Sequence, residues 1–406
     1  MLDTDFVRRQ FPAFSDPAML GRAFFENAGG SFPCVQVIDR LERFYRERKV
    51  QPYASYDPSR VAGEEMDEAR MRLAAMLGVD TDELSFGPST TQNTYVLAQA
   101  FREFLGTGDV IVVTNQDHEA NSGVWRRLAD DGIEIREWRI DPVTGHLDIN
   151  DLSGLLDSRV KLVVFPHCSN VVGEINDVEK ISRMSHDAGA FVCVDGVAYA
   201  PHGLPNVAAL GPDIYLFSSY KTYGPHQGLM VIRRALGEML PNQAHSFNGD
   251  ILYKRFTPAG PDHAQVAACA GIADYIDAVF AHHFQAHADP AARAARVHDL
   301  MRAHETALLQ PLLDNLSARP DVRLLGPTDA RLRAPTVAIA LPKAGKRYAE
   351  ALDPHGIMLD GGDFYAARPL QAMGIDPAKG VLRMSFTHYT SVPEVDHLKR
   401  ALDHVL

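Results

Sequence analysis

The chain has 406 residues, which predicts either two domains or one large α/β domain with a smaller partner. Hydrophobic residues make up 46% of the chain and charged residues 23%, which is the balance of a globular protein. The formal net charge of −12 argues against nucleic acid as the main partner, because proteins that bind a phosphate backbone concentrate positive charge.

The N-terminal sequence and the cysteines indicate in which cellular compartment the protein is expected. The first residues contain no apolar segment followed by a small-residue cleavage site, and no stretch reaches the about 20 apolar residues of a membrane span. The cysteines, Cys34, Cys168, Cys193 and Cys269, are scattered and form no CxxC pair. We therefore expect a reducing, cytoplasmic location and no membrane segment.

The first predicted elements are amphipathic helices at 37–48 and 64–77, where apolar residues recur every three to four positions. Buried strands are then predicted at Asp109–Thr114, Val160–Pro166, Ala190–Val194 and Ile214–Phe217. Helices are predicted between them at 91–105, 122–131 and 177–188. Alternating strands and helices predict a mostly parallel sheet that is covered by helices on both faces.

The character of the chain changes after residue 260. The Ala-rich stretch 264–316 predicts helix, interrupted near Asp289–Pro290. Short strands are predicted at Val322–Leu325, Thr336–Ala340 and Leu382–Phe386, followed by an amphipathic helix at 393–405. We therefore predict an N-terminal arm (1–25) that packs on the small domain, a large domain (26–258), and a linking helix with a small α+β domain (259–406).

Three local features carry chemistry. Lys221, in SSYKTYGPHQG (218–228), directly follows a predicted buried strand. Burial of its ammonium group costs free energy unless the charge is neutralised or the amine takes part in chemistry. Asp195 lies at the carboxyl end of the apolar strand FVCVDG (191–196). The turn GPSTTQN (87–93) opens a helix with hydroxyl groups and free amides, which bind phosphate well. Each feature also has an ordinary interpretation, as a surface lysine, a turn residue and a helix cap.

Together the three features match pyridoxal 5′-phosphate (PLP). Its phosphate suits a helix N-terminus, its aldehyde a lysine, and its pyridine nitrogen a carboxylate that keeps the ring protonated. All three features follow predicted strands, and α/β proteins bind ligands beyond the carboxyl ends of their strands. The sequence therefore predicts a PLP site built around Lys221 and Asp195.

An ordered set of motifs resembles the class V aminotransferases, PLP enzymes of fold type I, and most closely their cysteine-desulfurase-like branch. The motifs are TTQ (90–92), DHEAN (117–121), HCSNVVG (167–173), DG (195–196) and SSYKTYGPH (218–226). The resemblance extends from ENAGG (26–30) to VLRMSFTHY (381–389). It implies a fold type I PLP-dependent transferase, with a mostly parallel large domain and a smaller α+β domain, working as a homodimer with active sites at the subunit interface.

The resemblance implies roles for the residues around the cofactor ring. Lys221 would be the Schiff-base lysine and would move protons at the substrate Cα and the cofactor C4′. Asp195 would pair with the pyridinium nitrogen, and His118 would stack on the ring face. These three are the predicted catalytic residues, and Asn170 would lie near the phenolic oxygen.

The resemblance also implies contacts to the phosphate and the substrate. The phosphate ligands would be Thr90, Thr91 and Ser218. Arg383 matches the position that grips a substrate carboxylate, although a salt bridge between domains is an alternative interpretation. Asn27 and Tyr365 are the other predicted substrate contacts.

Several positions depart from the desulfurase pattern. Ala198 stands where a glutamine usually bonds the phenolic oxygen, and Tyr220 stands where a histidine usually precedes the lysine. The loop 360–370, DGGDFYAARPL, contains no cysteine, although that loop usually carries the sulfur-accepting thiol. Gly260 replaces the threonine that reaches the partner subunit's phosphate. A persulfide mechanism needs a mobile thiolate close to the substrate sulfur, so we expect none here.

The sequence therefore predicts aminotransferase-type chemistry on a small amino acid or amine. A cysteine-independent lyase, acting by C–S cleavage or β-elimination, is the nearest alternative, and a PLP-binding or storage protein without turnover is an alternative of another class. His283 and His287 have the spacing of a zinc pair on a helix, but the adjacent glutamate and a third ligand are missing. No metal site is expected.

Overall fold

A seven-stranded sheet lies at the centre of the protein, which a computed structural model describes over residues 1–406. The helices are α1 (Thr4–Arg9), α2 (Val35–Glu47), α3 (Asp57–Leu77), α4 (Thr90–Phe104), α5 (Glu119–Arg126), α6 (Ile149–Ser153), α7 (Val178–Asp187), α8 (Val207–Leu210), α9 (Arg234–Met239), α10 (His263–Ala268), α11 (Ala270–His283), α12 (Pro290–Ser317), α13 (Gly345–Leu352), α14 (Ala367–Ala372) and α15 (Val392–Val405). The strands are β1 (Ala23–Phe24), β2 (Leu84–Gly87), β3 (Val110–Thr114), β4 (Glu134–Trp138), β5 (Val160–Pro166), β6 (Phe191–Asp195), β7 (Ile214–Ser218), β8 (Gly228–Ile232), β9 (Arg323–Leu324), β10 (Thr336–Ala340), β11 (Ile357–Met358), β12 (Asp360–Gly362) and β13 (Val381–Ser385).

The strand order of the central sheet is β2-β8-β7-β6-β5-β3-β4. Only β8 runs antiparallel to its neighbours, so β2 and the other five strands share one direction. Successive residues of a strand point to opposite faces, so Val110 and Val112 pack into one core, and Ile111 and Val113 into another. The prediction of a mostly parallel sheet covered on both faces is confirmed.

A smaller antiparallel sheet, in the order β12-β13-β10-β9, forms the C-terminal part. It packs with the second half of α12, α13 and α15 around a separate core. The N-terminal segment contacts this part through the parallel pair β1-β11 and through an ion pair of 2.7 Å between Arg8 and Glu394. The division at residues 25 and 258 stays a prediction.

The structure corrects several predicted element bounds. The helix predicted at 122–131 ends at Arg126 and continues as a 3-10 turn. The stretch 264–316 contains three helices, and α12 begins where the carboxylate of Asp289 caps the amide of Ala292. Because α11 ends at His283 with an extended residue after it, His283 and His287 do not lie one helical turn apart. No group of three or more His, Cys, Asp or Glu side chains lies close enough to hold a metal ion.

One segment exceeds the apolar length expected from the sequence. His263–His283, which comprises α10 and α11, is long and apolar enough by composition to cross a membrane, so the expectation that no stretch reaches that length was wrong. In the structure 72% of its apolar window is buried. It packs against α2, α3 and α12, and Gly271 lies so close to Val37 that a Cβ there would come within 2.5 Å of the backbone. The protein's own core thus takes up the apolar surface of this segment.

Candidate active site

The predicted site residues lie along one edge of the central sheet. Each follows, or ends, a strand that points toward this edge: Thr90 after β2, His118 after β3, Asn170 after β5, Asp195 at the end of β6, and Ser218 and Lys221 at and after the end of β7. Carboxyl ends of parallel strands meet at one edge, which explains why positions more than 100 residues apart in the chain converge.

The N-terminus of α4 forms one wall of this region. Ser89 caps the helix by accepting a hydrogen bond from the amide of Gln92, and the Thr90 hydroxyl lies 2.8 Å from that of Ser218. Gly228 on β8 allows this approach, because a Cβ there would come within 2.3–2.7 Å of the backbone of Ser89 and Thr90. Free amides, hydroxyls and the positive end of the helix dipole therefore lie together, as a phosphate requires.

Lys221 and Asp195 line the same cavity and lie close enough for their charges to interact. Burial lowers the pKa of the Lys221 ammonium to about 8; the charge of Arg383 acts in the same direction, and Asp195 and Glu26 oppose it. Burial raises the pKa of the Asp195 carboxyl to about 6, although the amide of Val197, 2.8 Å from Oδ1, and Lys221 both favour the charged form. Near pH 8 a substantial fraction of Lys221 is therefore neutral, while Asp195 is charged.

His118 precedes α5 and lies beside Lys221. Its Nδ1 accepts a hydrogen bond of 3.1 Å from the amide of Ala120, so a proton on the neutral ring belongs on Nε2. Burial, with the charges of Lys221 and Arg383, lowers the pKa of His118 to about 4. The ring is therefore neutral near pH 7 and suited to stacking.

A cavity of about 310 Å³, called here the cofactor cavity, lies between these groups. It is lined by Ser89, Thr90, Thr91, Asp117, His118, Ala120, Pro166, Cys168, Asn170, Asp195, Val197, Ala198, Ser218, Tyr220, Lys221 and His226. The hydroxyl groups at one end of this cavity suit the phosphate of PLP. The Asp195 carboxylate suits its ring nitrogen, and the Lys221 amine suits its aldehyde. Asn170 adds a buried Oδ1 with no hydrogen-bond partner, which leaves it available to a ligand. The residues present fit this cofactor.

A second cavity of about 500 Å³, called here the outer cavity, adjoins the first and shares Lys221, His118 and Asn170 with it. Arg383 lines the outer cavity, and its role as a substrate contact stays a prediction. Its Nη2 nevertheless donates a 2.6 Å hydrogen bond to Glu26, so the alternative interpretation of Arg383 as a salt-bridge residue also describes the structure.

The loop between β12 and α14 forms another wall of the outer cavity. Phe364 and Tyr365 both have left-handed backbone, with φ of 52° and 56°, which is uncommon for residues other than glycine. Asn170 Nδ2 donates to the Phe364 carbonyl at 2.9 Å, and the amide of Glu119 donates to the Tyr365 carbonyl at 2.8 Å. These bonds hold the Tyr365 side chain, which is 75% exposed, at the rim of the cavity.

Two predicted site residues, Asn27 and Asn170, make hydrogen bonds within the protein that the sequence did not indicate. Asn27 is buried, accepts a 2.5 Å hydrogen bond from Tyr389 and lines neither cavity. Its neighbours Glu26 and Ala28 line the outer cavity instead. Asn170 lines the cofactor cavity, where its amide nitrogen donates to the Phe364 carbonyl, and its place near the phenolic oxygen stays a prediction.

The structure adds residues that sequence reasoning missed. Asp117 lines the cofactor cavity, and burial, together with the charge of Asp195, raises the pKa of its carboxyl well above the usual range. Asn121 and the amide of His118 donate hydrogen bonds to it. Its place in DHEAN, after an apolar strand, was the signal available in the sequence. Glu26 carried no comparable signal.

All four cysteines are buried free thiols. Burial raises the pKa of Cys34, Cys168 and Cys269 to about 12, and that of Cys193 above its usual range. Only Cys168 lines the cofactor cavity, where its thiol donates to the Gly173 carbonyl at 3.2 Å. None of them is a ready thiolate.

Comparisons relate the chain to known proteins. The family model for class-V aminotransferases matches residues 23–398. An aminotransferase-like protein, FGM3, of Gibberella zeae is 32% identical over 98% of both chains, and a cysteine desulfurase of Serratia proteamaculans is 30% identical over 98% of this chain and 97% of its own. An apo structure of a cysteine desulfurase from Thermococcus onnurineus superposes with a TM-score of 0.86 at 23% identity, covering 100% of this chain and 98% of its own. That last similarity concerns the fold.

Proposed function

Since the chain belongs to the class V aminotransferase family of fold type I PLP-dependent enzymes, we propose that it transfers an amino group from a small amine or amino acid, with PLP held on Lys221. The observation that carries this proposal is the convergence of Lys221, Asp195 and the α4 N-terminus on one cavity. We also propose that the protein works as a homodimer and is located in the cytoplasm. Free thiols throughout the chain support a reducing compartment.

PLP, when bound, supplies an electron sink for a bond at the carbon that bears the amino group. The residues of this chain bind and orient it. Asp195 would hold a negative charge against the ring nitrogen, and the neutral His118 would offer a flat face to the ring. Lys221, with a pKa lowered to about 8, is available to take a proton from the substrate carbon and return it elsewhere.

A cysteine-independent lyase is the second candidate, since relatives at 30% identity include a cysteine desulfurase. The two reactions leave different products. We propose to supply candidate amines and amino acids together with a 2-oxo acid. An aminotransferase forms the carbonyl product and the new amino acid in equal amounts. Release of ammonia or sulfide without amination of the acceptor would favour the lyase instead.

We expect that no enzyme persulfide forms during incubation with cysteine. The four thiols are buried, their pKa values are raised, and the loop 360–370 contains no cysteine. Attack on a substrate sulfur needs an exposed thiolate. Mass spectrometry of the four cysteine peptides after turnover checks this. Sulfide in solution does not decide the matter, because β-elimination also releases it.

A Tyr365→Cys variant controls for detection. Position 365 is exposed at the rim of the outer cavity, so a thiol there should react readily with an alkylating reagent. The native thiols should stay unlabelled in the same sample. A stoichiometric persulfide on Cys34, Cys168, Cys193 or Cys269 would overturn the prediction.

A further inference from the structure

An ion pair joins the N-terminal segment to β13 at the wall of the outer cavity. Glu26 Oε1 lies 2.6 Å from Nη2 of Arg383, whose side chain is only 3% exposed. Arg383 Nη1 also donates to the Asn170 carbonyl at 3.3 Å, and the Phe364 ring covers the guanidinium at 3.7 Å. The Glu26 carboxylate therefore takes the place beside Arg383 that an incoming carboxylate would need.

The backbone around Glu26 fixes its carboxylate in this place. The amides of Asn27 and Ala28 donate to the carbonyl and the hydroxyl of Ser385 at 3.2 Å and 2.8 Å. Gly29 leaves room for the side chain, because a Cβ there would come within 2.7 Å of Glu26 Oε1. The second oxygen, Oε2, is buried and has no hydrogen-bond partner. The site thus holds a preorganised carboxylate with one acceptor left free.

The other charges of the outer cavity offer no substitute for Arg383. Glu119 pairs with Arg368 at 3.1 Å, and Asp360 pairs with Lys346 at 2.8 Å. Arg127 has no acidic partner but is exposed at the surface. The only other arginine or lysine that lines this cavity is Lys221, which the cofactor requires.

We propose that Glu26 is an internal counter-ion of Arg383 that makes the site select primary amines without an α-carboxylate over the corresponding α-amino acids. An α-carboxylate must displace Glu26 and leave its charge unpaired in a partly buried position, which is unfavourable. An amine without an α-carboxylate leaves the ion pair between Glu26 and Arg383 intact. This inference rests on the proposed function and narrows its substrate class.

The test compares matched ligands on the holoenzyme. The pairs are ethylamine with L-alanine and 2-phenylethylamine with L-phenylalanine, which differ only in the α-carboxylate. Binding is followed by the absorbance of the bound cofactor in the wild type, in Glu26→Gln and in Glu119→Gln. The last variant removes the same charge from the same cavity but not from Arg383. Calorimetry with 3-phenylpropionate, which carries no amino group, measures access to Arg383 without any reaction at the cofactor.

We expect the wild type to bind each amine more tightly than its amino acid and to bind 3-phenylpropionate weakly. Glu26→Gln should shift the amine-to-amino-acid preference by at least about tenfold toward the amino acid and tighten 3-phenylpropionate binding, whereas Glu119→Gln should change neither appreciably. Tighter binding of the amino acids by the wild type, or an unchanged preference in a folded Glu26→Gln, would overturn the inference. If no cofactor absorbance is seen at all, the proposed function fails, and 3-phenylpropionate binding still decides the role of Glu26.

Discussion

Replacing Lys221 with alanine should remove covalent attachment of PLP and reduce turnover by at least about 1000-fold. The lysine is the only amine that lines the cofactor cavity, and its lowered pKa of about 8 leaves a useful neutral fraction near neutral pH. His118, which also lines this cavity, is a poor substitute as a base, because burial lowers its pKa to about 4. Absorbance of the purified protein and steady-state rates measure the two effects.

Lys180→Ala is the matched control, since Lys180 is an exposed lysine on α7, and it should behave like the wild type. Added methylamine should restore part of the activity of Lys221→Ala if the lysine transfers protons. Turnover of Lys221→Ala within tenfold of the wild type would contradict the role assigned to Lys221.

Replacing Asp195 with alanine should leave PLP bound but lower turnover by about 100-fold. The carboxylate is buried and ends β6, where it faces the cofactor cavity. Without its charge-assisted bond the ring nitrogen loses its proton, and an unprotonated ring is a poor electron sink. Rates at pH 8, where a carboxyl with a pKa of about 6 is charged in the wild type, measure the loss.

Asp187→Asn removes a carboxylate from the exposed end of α7 and should leave the rate unchanged. Asp195→Asn keeps the size of the side chain but not its charge, so it should resemble the alanine variant. Near-normal rates in both Asp195 variants would show that another group protonates the ring, or that the reaction does not need it.

The sequence was sufficient to predict the edge of the sheet where the site lies. Apolar runs identify β3, β5, β6 and β7, and the ends of these strands carry the polar side chains. Because parallel strands place their carboxyl ends at one edge of the sheet, local sequence patterns were enough to predict that these side chains lie close together. The antiparallel direction of β8 could not be predicted, because a short apolar run does not reveal the direction of a strand.

The partner of Arg383 could not be predicted in the same way. Glu26 and Arg383 are 357 positions apart, and they meet only because the N-terminal segment packs beside β13. The place of Asn27 could not be predicted either. The resemblance implies a substrate contact, whereas in the structure the Asn27 side chain accepts a hydrogen bond from Tyr389 and lines neither cavity. Tertiary packing, which leaves no local signal, decided both contacts.

The end of α11 shows a similar limit. Residues 282–287 have a helical spacing of histidines, yet the helix stops at His283. His283 Nε2 accepts a hydrogen bond from the amide of Asp3 at 2.9 Å, and His282 pairs with the Asp3 carboxylate at 2.9 Å. Contacts from the first residues of the chain thus engage His283, one of the two histidines whose spacing resembles a zinc pair.

Borohydride reduction of the purified holoenzyme tests the central claim most directly. Reduction should fix PLP irreversibly to one lysine, and peptide mapping by mass spectrometry should place the adduct on the peptide that contains Lys221. The same treatment of Lys221→Ala should give no adduct in the cofactor cavity. An adduct of the wild-type protein on any other lysine, or none at all, would contradict the assignment of this site.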